Sequence, residues 1–206
     1  MSVKNAIIQC MRQLQSYRPF FISEDDLKFS LATELRDRLR RSNIFLEFPM
    51  CFPSQTNKIY IDIMIEEGGQ FYPIELKWKT MPFPHSGSCN FHSKIAMSLP
   101  LEDHSCQTSF RALFYSDIGK IEHIKRSNCF PWGQGYAIFF TNVHACWSSQ
   151  RQTKCRLDEG HTIKEQYHKD KQYTIDGQYI SQWEFYSCVG GGGDGETFKY
   201  LTIEIT

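Results

Sequence analysis

Three residues in one short stretch have the types and spacing to do chemistry together. From Lys58 to Lys79 the chain reads K-I-Y-I-D-I-M-I-E-E-G-G-Q-F-Y-P-I-E-L-K-W-K, and Asp62, Glu75 and Lys77 are its candidates. Two carboxylates beside an ammonium suit a hard, oxygen-seeking cation such as Mg2+ or Mn2+, held by a few carboxylates together with water and phosphate oxygens. Lys77 would then stand near an attacking water. For this the three side chains must share one surface. Ile59, Ile61, Ile63 and Ile65 recur with period two and share a strand face, leaving Tyr60, Asp62 and Met64 on the other. The turn Glu66-Glu67-Gly68-Gly69-Gln70 reverses the chain, and the returning run sets Ile74, Leu76 and Trp78 against Phe71, Pro73, Glu75 and Lys77. A hairpin in the right register therefore puts both acids and the lysine on one sheet surface. The competing reading is a surface hairpin with ordinary solvated charges.

The elements around this hairpin have to come from a chain of 206 residues, 41% of them hydrophobic, which is enough for one well-packed domain over residues 1–206. We expect an N-terminal helix within 1–20, an irregular insertion over 80–106 and a C-terminal β-rich extension over 148–206. Lysine and arginine total 23 against 23 acids, so a phosphate-binding footprint has to be local. The eight cysteines form no tight pairs, and without a secretion signal they read as reduced thiols of a cytoplasmic protein. No apolar run approaches the roughly 20 residues of a membrane span, and no membrane partner is expected.

Ile7, Ile8, Met11 and Leu14 predict a first helix over Val3 to Gln15. Ser23 predicts the cap of a second, which runs to about Arg40 with Leu27, Leu31, Leu35 and Leu39 as its buried stripe. At about 100° per residue Glu34 projects roughly 20° from Leu27, where a carboxylate can face inward; it can equally pair with Arg38 one turn on. Arg36, Arg38, Arg40 and Arg41 form the densest positive patch, a solvated face or a contact for phosphate. Strands follow at Ile44 to Phe48 and Met50 to Phe52. Gln107 to Arg126 is a third helix with Phe110, Leu113, Phe114, Ile118, Ile121 and Ile124 as its apolar face and Asp117 in or beside it. Tyr136 to Phe140 reads as a strand covered on both faces. Tyr173 to Ile180 carries a second hairpin signal around Asp176-Gly177, and Phe198 to Ile205 is the last strand. Cys89, His92, His104 and Cys106 have zinc-ligand types, but their spacing is unlike a common finger, so a loop lying against substrate or a partner is the preferred reading. A zinc-organised interaction protein is the rival reading.

The aspartate, a dozen residues, then Glu75-Leu76-Lys77 across a hairpin resembles the signature of the PD-(D/E)XK, or restriction-endonuclease-like, nuclease superfamily. Tyr60-Ile61-Asp62 stands where Pro-Asp is often found. Phe114-x-x-Asp117-Ile118-x-Lys120-Ile121-Glu122, followed by Gly135-Tyr136-Ala137-Ile138-Phe139-Phe140-Thr141-Asn142, is similar to a group of uncharacterised prokaryotic members, with Lys120 for an arginine and Val143 for a final acid. The resemblance covers about Ser23 to Trp147. It implies an α/β fold with a restriction-endonuclease-like core, a mixed β-sheet flanked by helices on both faces. It implies Mg2+ (or Mn2+) held by Asp62, Glu75 and the Leu76 backbone carbonyl, Lys77 as the catalytic lysine, and Glu34 as a further acid from the first core helix. The implied activity is hydrolysis of phosphodiester bonds, in DNA first, for genome defence or nucleic-acid processing. Phosphate contacts are then expected from Arg36, Arg38, Arg40 and Arg41, or from Lys120, Lys125 and Arg126. A protein partner supplying specificity and a homodimer are compatible with the sequence. The alternative is a catalytically inactive nucleic-acid- or protein-binding module on the same fold.

Overall fold

The computed structural model describes residues 1–52, 58–82, 101, 107–148, 155–164, 174–189 and 195–206. In chain order the elements are α1 (Val3–Tyr17), α2 (Glu24–Arg38), β1 (Asn43–Met50), β2 (Ile59–Glu67), β3 (Gln70–Lys79), α3 (Gln107–Ser127), β4 (Gly135–Thr141), α4 (Ala145–Ser148), β5 (Thr162–Ile163), β6 (Tyr179–Ile180), β7 (Trp183–Cys188) and β8 (Thr197–Ile205). Six strands make one mixed sheet in the order β1-β2-β3-β4-β8-β7. Only β3 and β4 are parallel, and the chain between them contains α3, the kind of long crossover that a parallel pair requires.

Alternation along β4 shows how the layers are divided. Tyr136, Ile138 and Phe140 pack with Leu14 of α1 and with Leu27, Leu31 and Leu35 of α2. Ala137 and Phe139 pack with Phe114, Ile118 and Ile121 of α3. All seven residues of β4 are buried, as expected for a strand covered on both faces. The hairpin divides the same way: Ile63, Ile65, Ile74, Leu76 and Trp78 join the α1/α2 side. The protein is thus a mixed α/β fold with helices on both faces of its sheet. Leu113 is half-exposed, on the outer side of α3 rather than on its apolar face.

The approach of α3 to β4 is close. A methyl group at Gly135 would stand 2.2 Å from Cγ2 of Ile121, which is itself fully buried and branched at Cβ. Overpacking of this kind typically costs about 1–3 kcal/mol, so Gly135→Ala is expected to lower the thermal midpoint by several degrees. An unchanged midpoint would mean that α3 can retreat from the sheet without loss.

Two sequence expectations are corrected here. Tyr179–Ile180 does not pair back on Ile175 but with Thr162–Ile163, forming a separate two-stranded sheet. The C-terminal strands are also no appendage, since β8 pairs along β4 from Gly135↔Ile205 to Thr141↔Lys199, and β7 pairs with β8. The zinc-type set Cys89, His92, His104 and Cys106 lies outside the described residues. Among the described residues no helix is long and apolar enough to cross a membrane.

Candidate active site

The site begins where the hairpin comes apart. β2 and β3 pair from Glu67↔Gln70 to Ile63↔Ile74, a register that sets Asp62 opposite Glu75, but the ladder stops one step short of them. Two carboxylates take over from the missing strand. Asp62 Oδ2 accepts a hydrogen bond from the Leu76 amide at 2.8 Å, and Glu24 Oε2 accepts one from the Trp78 amide at 2.9 Å. Buried amides left without acceptors would each cost on the order of 1–3 kcal/mol, so these contacts sustain the separation of the strands. A strand residue presents its amide and carbonyl to the same edge, which brings the Leu76 carbonyl beside Asp62.

Glu75 and Lys77 share a strand face, and α3 meets them there with Asp117 and Lys120, one turn apart. Lys120 Nζ lies 2.7 Å from Glu75 Oε2 and donates to the Tyr60 carbonyl at 3.0 Å. Lys77 Nζ lies 3.4 Å from Glu24 Oε2 and 3.6 Å from Asp117 Oδ2. On the side of α2, Lys28 Nζ is 2.9 Å from Asp25 Oδ1 and 3.4 Å from Asp62 Oδ1, and it also pairs with Glu47. Glu47 is the residue of β1 between Leu46↔Ile63 and Phe48↔Ile61, hence across from Asp62, yet it is unpaired and adopts φ 49°. A non-glycine residue in this left-handed region costs on the order of 1–3 kcal/mol. Its carboxylate, turned to Lys28, is what that conformation gains.

Burial dominates the electrostatics. Glu75 is only 3% exposed, and burial pushes its carboxyl well above the usual range. Lys120 opposes that rise, while Asp117 and Asp62 add to it. Burial likewise lifts Asp117 to about 6 against the pull of Lys77 and Lys120, with Asp62 and Glu24 contributing to the rise. For Lys77 burial works downward, but Asp117, Glu24, Asp62 and Glu75 outweigh it and the ammonium is held above its ordinary value. Lys120 is raised in the same way against burial, chiefly by Glu75 and Asp117, and Lys28 by Glu47, Asp25 and Asp62. The lysines are therefore fixed positive charges, and the buried acids are the members that respond to pH. Among the described residues, Glu75 Oε1 and Asp117 Oδ2 are buried without a hydrogen-bond partner.

Carboxylate and carbonyl oxygens are the donor type that a hard divalent cation takes. Asp62, Glu75 and the Leu76 carbonyl offer hard oxygens at the strand separation, and Glu75 Oε1 is buried with no hydrogen-bond partner among the described residues. Among the described residues no three His, Cys, Asp or Glu side chains gather as a metal-holding group, so carbonyl, water and substrate oxygens would complete the coordination.

The expected residues are only partly brought together. Asp62, Glu75, Leu76 and Lys77 meet. Glu34 does not join them: it accepts a hydrogen bond from the Tyr17 hydroxyl of α1 at 2.5 Å, and lies ten residues, about 15 Å of helix, beyond Glu24. The acid that α2 supplies to the cluster is Glu24. Arg36, Arg38, Arg40 and Arg41 are at or beyond the far end of α2, with Arg38 on Gln9 at 3.3 Å and Arg40 on the Asp37 carbonyl at 3.4 Å. The three α3 cations expected to contact phosphate are engaged within the chain: Lys120 inside the cluster, Lys125 on the Thr206 carbonyl, and Arg126 with Asp176. Sequence reasoning missed the site roles of Glu24, Lys28, Glu47 and Asp117. A signal existed for two of them, since Lys28 adjoins the Leu27 and Leu31 stripe and Asp117 interrupts an apolar face.

Fold and site together define a mixed α/β protein with a buried carboxylate and lysine cluster at a strand separation. The chain matches no family model, no curated protein and no solved structure.

Proposed function

We propose that this protein is a divalent-metal-dependent phosphodiesterase, a nuclease acting on DNA, built on a restriction-endonuclease-like core. The observation that carries the reading is the meeting of Asp62 and Glu75 across the separated ends of β2 and β3, with Lys77 on the same face. Asp62, Glu75 and the Leu76 carbonyl would hold Mg2+ or Mn2+, which when bound would supply Lewis-acid polarisation and lower the pKa of water. Asp62 is oriented for this by the Leu76 amide and by Lys28. Glu75 contributes buried charge from a rigid central strand. Lys77, steered by Glu24 and Asp117, orients the attacking water and offsets the negative charge that develops on the phosphoryl oxygens.

One observation favours a second reading, a binding module without catalysis: Lys120 and Lys28 already neutralise Glu75 and Asp62 within the chain. Ion binding separates the two. An ion bound only by the folded state at about 100 times its Kd stabilises by about 2.7 kcal/mol, which for a chain of this size is about 5–10 °C in Tm. Mn2+ or Mg2+ is expected to raise the wild-type Tm on this scale, and Asp62→Asn to abolish the rise. A rise that survives Asp62→Asn would move the ion elsewhere, and no rise in the wild type would leave the binding module.

A further inference from the structure

We propose that Lys120 is an exchangeable counter-ion: its ammonium neutralises Glu75 while no divalent cation is bound, and gives Glu75 up when one arrives. The inference rests on the metal reading above. It starts from an asymmetry in one carboxylate. Glu75 is 3% exposed; Oε2 contacts Lys120 Nζ at 2.7 Å, and Oε1 is buried with no hydrogen-bond partner. A divalent ion on this carboxylate would stand within a few ångströms of that ammonium in a site largely shielded from water. Two positive charges at such range repel strongly, because little solvent lies between them to screen the field.

Lys120 is the member of the cluster able to move. Lys77 is held between Glu24 and Asp117, and Lys28 among Asp25, Glu47 and Asp62. Among the described residues Lys120 has one carboxylate within ion-pair distance and a second hold on the Tyr60 carbonyl, which can retain the ammonium at the rim once Glu75 is lost. A second acid stands beside it: Asp117 is one turn earlier on the same helix, and its Oδ2, 3.6 Å from Lys77 Nζ, makes no hydrogen bond among the described residues. The exchange therefore moves a positive charge by a few ångströms between two buried acids and leaves neither uncompensated, which is the condition for a buried charge to shift at tolerable cost. A lysine serving only to fasten α3 to β3 would keep Glu75 in both states.

Calorimetric titration of the full chain with Mn2+ at pH 8 decides between the two. With its competitor gone, Lys120→Met is expected to bind Mn2+ about tenfold or more tightly than wild type, whereas Lys120→Arg, which keeps the charge, should bind like wild type or more weakly. Adding Glu75→Gln should remove the gain. Lys120→Gln serves the same purpose should the methionine variant not fold. Wild type that binds Mn2+ while Lys120→Met binds it no more tightly would overturn the exchange and leave the metal reading standing. Failure of wild type and of every Lys120 variant to bind would overturn both.

Discussion

Lys77→Ala is expected to lower the rate of phosphodiester cleavage about a hundredfold or more, the scale lost when one preorganised electrostatic group is removed from an active site. Lys77 is mostly buried, carries no contact that holds the sheet together, and is steered from two elements by Glu24 and Asp117. An ammonium fixed at that point acts on charge that appears only as the phosphoryl group is attacked. Affinity for the same DNA with Ca2+ in place of Mg2+ should change far less, because binding shared by ground and transition states does not accelerate the reaction. Single-turnover cleavage and equilibrium binding on the same preparation make the comparison. Full cleavage by a folded Lys77→Ala protein would place the chemistry away from this hairpin.

The other large effect is on stability. Asp117 has a carboxyl raised from 3.8 to about 6 by burial. An acid whose folded pKa exceeds its unfolded one binds more protons folded than unfolded, so its contribution favours the fold most below pH 3.8 and is lost as the pH climbs to about 6. A difference of this size corresponds to roughly 3 kcal/mol. Asparagine has the same shape and cannot ionise, and Lys77 and Lys120 keep Glu24 and Glu75 as partners. Without divalent ions at pH 8, Asp117→Asn is therefore expected to be more stable than wild type by up to about 3 kcal/mol. Near pH 4 the two should be close. Urea unfolding at both pH values checks the sign. A variant less stable than wild type at pH 8 would mean that the ion pair with Lys77 outweighs the burial of the charge.

Both effects arise at residues whose visibility in the sequence differed. The alternation of Ile63 and Ile65, and of Ile74, Leu76 and Trp78, predicted which face of the hairpin is buried, because a strand's period of two survives any tertiary arrangement that covers one face. It also put Asp62, Glu75 and Lys77 on the opposite face. The aromatic run of β4 announced a strand covered on both sides, and the leucine stripe of α2 announced its packing. Such patterns are local, and local geometry alone decides them.

Helix termini and long-range partners could not be read in this way. Periodicity put both Glu34 and Glu24 on α2, and the angle of Glu34 from Leu27 was right for an inward residue. Which end of the helix meets the strand separation depends on how α2 docks, and docking brought Glu24 to the Trp78 amide and Glu34 to Tyr17. Lys120 reads from the sequence as a phosphate contact, because its partner Glu75 lies 45 positions earlier in the chain and only the docking of α3 brings the two together. Glu47 gave no sign of a left-handed backbone, since only the neighbouring strand and Lys28 make that conformation worth its strain. The final hairpin signal failed for a related reason: the amides of Asp176 and Gly177 are taken by Glu122 of α3, and Tyr179–Ile180 then pairs with Thr162–Ile163. By itself the sequence determined the strand faces, the leucine stripe of α2 and the side of each strand on which Asp62, Glu75 and Lys77 stand, since each follows from backbone periods of 2 and 3.6 residues. The tertiary structure decided the rest of the charge network, because a buried ion pair is set by whichever elements converge upon it, and no spacing along the chain records that convergence.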